Sequence, residues 1–215
     1  MIENEKNAYK KYYAENPAAL SLKFCNELKE LGYEFEVPSQ TKGFMPKHKE
    51  TILPIAIRYY QQAKKDEKNF FLDFFHFKGF DEVIPMLLED FYSPDTPSLT
   101  REFIGETFRL ICSEKYIDDY LKILANTELG GQRNSIIALL GKLKSDTAIP
   151  LLIAALDEGK NITTNAISAL GQYKQPEFRP YFERFLDHEN SYYRREAKTA
   201  LKKLDKQLEK EKKST

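Results

Sequence analysis

The chain has 215 residues, enough for one domain of ordinary size or a short array of repeats. Hydrophobic residues are 41% and charged residues 31%, so a core can form and the composition is not that of a disordered chain. Thirty-three basic residues balance thirty-three acidic ones, which argues against a general binder of nucleic acid or other polyanions.

Two cysteines, Cys25 and Cys112, lie far apart, so neither a disulfide-dense scaffold nor a CxxC knuckle is expected. Three scattered histidines, His48, His76 and His188, do not suggest a metal site. The opening MIENEKNAYKKYY lacks the apolar centre of a signal peptide. The longest uncharged apolar run, Thr147 to Leu156, spans ten residues. A membrane-crossing helix needs about 20. The expectation is a soluble, cytoplasmic protein without metal, cofactor or membrane partner.

Glycine and proline are sparse, and Leu, Ala, Lys and Glu are common, which favours helix over sheet. Apolar spacing and breakers predict helices near 2–13, 17–31, 50–63, 67–77, 81–92, 99–112, 115–125, 132–143, 146–157, 161–173, 176–187 and 191–210. Gly32 and Gly79 read as stops, and Gly130-Gly131 separates two helices. Asp146 and Ser191 read as N-caps. Tyr33 to Val37 alternates briefly, then stops at Pro38. The segment from Tyr33 to Lys49 reads as a long connector.

Self-similarity organises the rest. Arg133-Asn-Ser-Ile-Ile-Ala-Leu-Leu-Gly-Lys-Leu143 aligns with Thr163-Thr-Asn-Ala-Ile-Ser-Ala-Leu-Gly-Gln-Tyr173 and with Arg194-Arg-Glu-Ala-Lys-Thr-Ala-Leu-Lys-Lys-Leu204. A second column reads Pro54, Pro85, Asp118, Pro150 and Pro180, with steps of 31, 33, 32 and 30 residues. Proline near the first turn of a helix loses little, because its missing N–H would lack an intrahelical partner there anyway. A two-helix unit of this period is the signature of a helical solenoid, in which each pair is buried by its neighbours. Ala138, Ala166, Ala169, Ala197 and Ala200 suit close helix crossings.

These units resemble HEAT repeats, specifically the short bacterial subtype first noted in phycobilisome lyases. That pattern places Asp a few residues before Arg, then Ala-Leu-Gly, then Ala-x-Pro-x-Leu. Asp187 with Arg194, Ala169-Leu170-Gly171 and Ala148-Ile149-Pro150-Leu151-Leu152 match it. The match is good over 130–205 and weaker over 50–125. The resemblance implies an all-α, right-handed superhelix of five to six helix pairs over 50–205. A divergent N-terminal cap of 1–49 and a frayed polar tail of 206–215 complete one continuous domain. It also implies that arginines such as Arg101, Arg133 and Arg194 bridge to an acid of the preceding turn, as Asp187 would for Arg194.

In such a solenoid one helix of each pair lines the concave face. Four residues after the proline column stand Arg58, Glu89, Lys122, Ala154 and Arg184. One residue after it stand Ile55, Met86, Asp119, Leu151 and Tyr181. The strip Arg58, Met86, Glu89, Asp119, Lys122, Leu151, Tyr181 and Arg184 mixes sign with apolar and aromatic groups, which suits a protein or peptide. Phosphate tracking would need one continuous basic stripe. No GxSxG, GxGxxG or P-loop occurs, and His76 among Phe70, Phe71, Phe74, Phe75 and Phe77 reads as a satisfied, partly buried histidine. The expected function is a non-catalytic scaffold or adaptor. The alternative is a nucleic-acid binder related to the alkyl-base DNA glycosylases. Those enzymes rely on tryptophan and a basic groove, and this chain has no Trp. Tyr59, Tyr60 and Tyr120 could substitute as stacking platforms, but their register places them in the core or at its rim.

Overall fold

The computed structural model describes residues 2–33, 35, 40, 44–64 and 67–214. Most of the alternating segment Tyr33–Val37 and much of the connector to Lys49 lie outside the described residues. Twelve α-helices, and no strand, occur among those described. The chain divides into two compact units, Met1–Ile111 and Cys112–Thr215, each described in turn.

The first unit holds α1 (Ile2–Glu15), α2 (Leu20–Glu30), α3 (Lys49–Gln62), α4 (Glu67–Leu72), α5 (Ile84–Tyr92) and α6 (Ser98–Ile111). α2 ends where predicted. Gly32 adopts φ +85°, and the Gly32 and Tyr33 amides donate to Lys29 and Leu28 carbonyls, the Schellman arrangement that a residue without Cβ accepts freely. Phe24 of α2 is fully buried against Phe74 (4.8 Å between ring centroids), Phe71 (5.5 Å) and Tyr59 (5.6 Å). Edge-to-face aromatic packing of this kind ties α2 to α3 and α4. α4 is shorter than predicted, because residues 73–75 tighten into a 3-10 turn.

The second unit holds α7 (Ile117–Ala125), α8 (Asn134–Leu143), α9 (Ile149–Ala155), α10 (Lys160–Tyr173), α11 (Arg179–Glu183) and α12 (Ser191–Ser214). α8, α10 and α12 pack in series. Two glycines set their spacing. A Cβ on Gly141 would lie 2.6 Å from Ala169 Cα, and one on Gly171 would lie 2.9 Å from Ala200 Cβ. The Ala-Leu-Gly signature therefore records a helix crossing too close for any side chain. Leu140 and Leu170 beside these glycines are fully buried.

The proline column has a structural meaning in four of five repeats. Pro85, Asp118, Pro150 and Pro180 each occupy the second position of a short helix, and a three-residue 3-10 turn precedes each helix. Pro54 departs from this register. It lies inside α3, which begins five residues earlier, so it interrupts the helix rather than opening it. The longer helices end alike: Cys112, Lys144 and Lys174 each follow one in the left-handed conformation, at φ 54° to 58°.

Two predicted caps and two predicted boundaries need correction. Asn190, not Ser191, caps α12, accepting the Tyr192 amide at 2.9 Å. Asp146 opens a 3-10 turn whose N-cap is Ser145. α11 is five residues long, because the chain tightens after Phe182 into i→i+3 turns that bury Phe185. α12 continues through the polar segment 206–214, helped by i,i+4 contacts such as Gln207 to Glu211 (2.8 Å). That segment forms the last turns of a helix rather than a separate frayed tail.

Candidate functional site

Each longer helix of the repeats carries at or within its first turn a residue that clamps the helix or turn before it. Arg101 donates to the carbonyls of Phe91 (2.9 Å) and Ser93 (2.6 Å). Arg133 donates to Leu124 (2.8 Å), and Arg194 to His188 (2.6 Å) and Glu189 (2.8 Å). Thr163, the aligned residue in the remaining repeat, donates its hydroxyl to Leu156 (3.0 Å). The last carbonyls of a helix have no intrahelical partner, and Arg101, Arg133 and Thr163 supply one, whereas Arg194 holds carbonyls of the turn that follows α11. The arginines are thus structural, but their main acceptors are backbone carbonyls. Carbonyls, not Asp187, take the Arg194 guanidinium. Arg133 also holds an acid, Glu158, from the turn of the following repeat, and its side chain is 1% exposed.

The predicted strip lies on the short helices. In the second unit Asp119 and Lys122 stand on α7, Leu151 on α9, Tyr181 on α11, and Arg184 at its C-terminal end. Leu151, Tyr181 and Asp119 are half-buried, and Lys122 and Arg184 are exposed. In the first unit Arg58 stands on α3 and Met86 and Glu89 on α5, with Met86 half-buried and the other two exposed.

Every cation of the strip carries its own acid. Arg58 pairs with Glu27 at 2.5 Å, Lys122 with Asp119 at 2.9 Å and Arg184 with Asp157 at 2.9 Å. Arg58 and Arg184 also lie over Tyr59 and Phe185. Glu27 and Asp157 were not readable from the proline column, since neither lies on the helix whose arginine it meets. The periodicity of one element carries no signal for its partners on another.

The chain matches the sequence profile of the family described as HEAT repeats over residues 92–206, more than half of its length. The chain belongs to the HEAT-repeat family. Comparison with curated proteins finds no match. The HEAT match starts at the end of α5, so the displaced Pro54 and its helix α3 lie outside it.

Other chemistry-bearing residues of this HEAT protein have structural partners. His76 Nε2 lies 2.9 Å from Thr107 Oγ1, whose hydroxyl donates to the Phe103 carbonyl at 2.8 Å. With its proton so engaged, Thr107 accepts from His76, which places a hydrogen on Nε2. Tyr60 and Tyr120 are fully buried, so neither can stack on a base. Asp90 receives the Tyr60 hydroxyl at 2.6 Å and the Lys68 ammonium at 2.5 Å. Burial, then the Asp90 hydrogen bond, push the Tyr60 hydroxyl far above its ordinary range. Burial likewise pushes Cys25 up to about 11. An activated nucleophile needs the opposite shift. Among the described residues no cluster of three or more His, Cys, Asp or Glu could hold a metal, and no helix is long and apolar enough to cross a membrane.

Proposed function

We propose that the protein is a non-catalytic, cytoplasmic scaffold or adaptor. Its protein or peptide partner binds along the strip of Asp119, Lys122, Leu151, Tyr181 and Arg184, with Arg58, Met86 and Glu89 offering the same chemistry on the first unit. The observation that carries this reading is the pairing of each basic side chain in the strip with an acid, leaving half-buried Leu151 and Tyr181 between compensated charges. Such a surface presents hydrogen-bonding groups of both signs around apolar anchors, the chemistry of protein interfaces. A polyanion would have to displace the acids first. HEAT arrays build their binding surfaces from repeated helices of this kind. The raised Tyr60 and Cys25 ionisations favour a role without catalysis.

Selection of displayed peptides on the immobilised full chain tests the proposal. Enriched peptides should bind the native protein and lose at least about tenfold in affinity, roughly 1.4 kcal/mol, to the triple variant R58E/K122E/R184E, with its melting temperature kept. Steeply salt-dependent binding of duplex DNA, or enriched peptides indifferent to the triple variant, would overturn it.

A further inference from the structure

α12 repeats the register of α8 and α10 but not their chemistry. Gly141 and Gly171 each point to the helix that follows in the series. Aligned with them in α12 stands Lys202, and Lys198 takes the place of Ile137 and Ile167, which are fully buried. Leu201 is half-buried where its counterparts Leu140 and Leu170 are fully buried. Lys198, Leu201, Lys202, Asp205, Lys206 and Glu209 line an open groove of about 510 Å³ along this face. Lys198, Lys202, Lys206 and Glu209 are exposed and make no ion pair among the described residues. Arg179 of α11 holds Asp205 through Oδ1, which fixes that carboxylate at the groove.

Residues four apart lie one above the other on a helix. The face therefore carries two adjacent ridges, Lys198-Lys202-Lys206 and Leu201-Asp205-Glu209. A second copy turned end for end lays its basic ridge on the ridge that holds the acids. Lys198 then meets Glu209, Lys202 meets Asp205, and the stem of Lys206 covers Leu201, each contact occurring twice about a two-fold axis. We propose that two copies of the chain associate through this face of α12, antiparallel and by these pairs. The face is about 16 Å long, too short to bury the roughly 800 Å² per partner of a standard interface. The dimer is therefore weak, and its exposed charge pairs make it sensitive to salt.

Sedimentation of the full chain from micromolar to millimolar concentration tests the proposal. At low salt the mean mass should rise from monomer toward dimer, and raised salt should reverse it. K198E and E209K each set like charges together at both symmetry-related contacts, so each should weaken self-association by at least about tenfold. Both sites are exposed, so the melting temperature should hold. An equimolar mixture of the two variants should regain the dimer, because each contact of the mixed pair again joins opposite signs. The strip variant R58E/K122E/R184E leaves these contacts alone and should dimerise normally, so this proposal and the partner strip fail separately. A chain that stays monomeric at low salt, variants that associate as well as the parent, or a mixture no better than its components would overturn it. So would a monomer whose α12 face captures a polyglutamate helix instead, since the face would then belong to another protein.

Discussion

Gly141 sits against Ala169 so closely that a Cβ on the glycine would fall 2.6 Å from both Cα and Cβ of the alanine. One repeat later Gly171 faces Ala200 with slightly more room, 2.9 Å to Cβ and 3.3 Å to Cα. Gly141→Ala must therefore push backbone, whereas Gly171→Ala meets mainly a methyl group. Overpacking costs about 1–3 kcal/mol, while alanine regains about 1 kcal/mol of helix propensity. The expected order is a clear loss for Gly141→Ala and a smaller one for Gly171→Ala. Denaturant unfolding of the two variants decides it, and equal stabilities would count against the crossing described.

Arg133 is the most deeply buried of the clamping arginines, and it joins the Leu124 carbonyl to Glu158. Arg133→Ala strands both, and breaking a buried pair by removing one partner costs about 3–5 kcal/mol. Glu158 keeps a quarter of its side chain in water, which places the loss toward the lower figure. Arg133→Lys should recover only part, because a single ammonium cannot reproduce the guanidinium fork. Arg194→Ala, at a half-buried site bound only to carbonyls, should cost less. Thermal melts of the three variants should rank in that order.

Leu170 is fully buried beside Gly171. Leu170→Ala leaves a cavity between α10 and its neighbours and should cost about 2–5 kcal/mol. An unchanged melting temperature would show that the site collapses around the missing atoms.

Alkaline pH should weaken the fold through buried protonated groups, among them Tyr60, Cys25 and Tyr173. Burial raises Cys25 from 9.0 to about 11 and Tyr173 from 10.0 to about 12. Both are held in their protonated forms, and Tyr173 donates to the Ser145 carbonyl at 2.7 Å. A raised folded value means that the stabilisation is complete below the unfolded value and fades as pH climbs through the folded one. Stability should thus fall between pH 9 and 12. Cys25→Ala should remove the earlier part of that decline, and Tyr173→Phe a share of the later part, the rest falling to Tyr60. Urea midpoints measured from pH 8 upward would show a single unaltered slope in both variants if neither thiol nor phenol were responsible.

The repeat was legible because its marks are local and periodic. Pro85, Pro150 and Pro180 sit where a missing N–H does no harm, and Ala-Leu-Gly marks a crossing that admits nothing larger. What escaped notice depends on contacts between elements. The carbonyls gripped by Arg101 and Arg194 belong to the backbone, which has the same chemistry at every residue. The left-handed turns at Cys112, Lys144 and Lys174 carry no glycine to announce them. Pro54 fitted the spacing but not the geometry, because α3 starts about one turn too early for it. For the strip, the register supplied the acid of Lys122, which lies one turn away on the same helix, but the counter-charges of Arg58 and Arg184 come from other segments.

The reach of Glu158 has a consequence for how the second unit comes apart. This carboxylate belongs to the turn between α9 and α10, yet its guanidinium partner opens α8. Loosening that turn would deprive a water-excluded cation upstream of its counter-ion, so melting begun toward the carboxyl terminus would be relayed backwards instead of halting at the next helical hairpin.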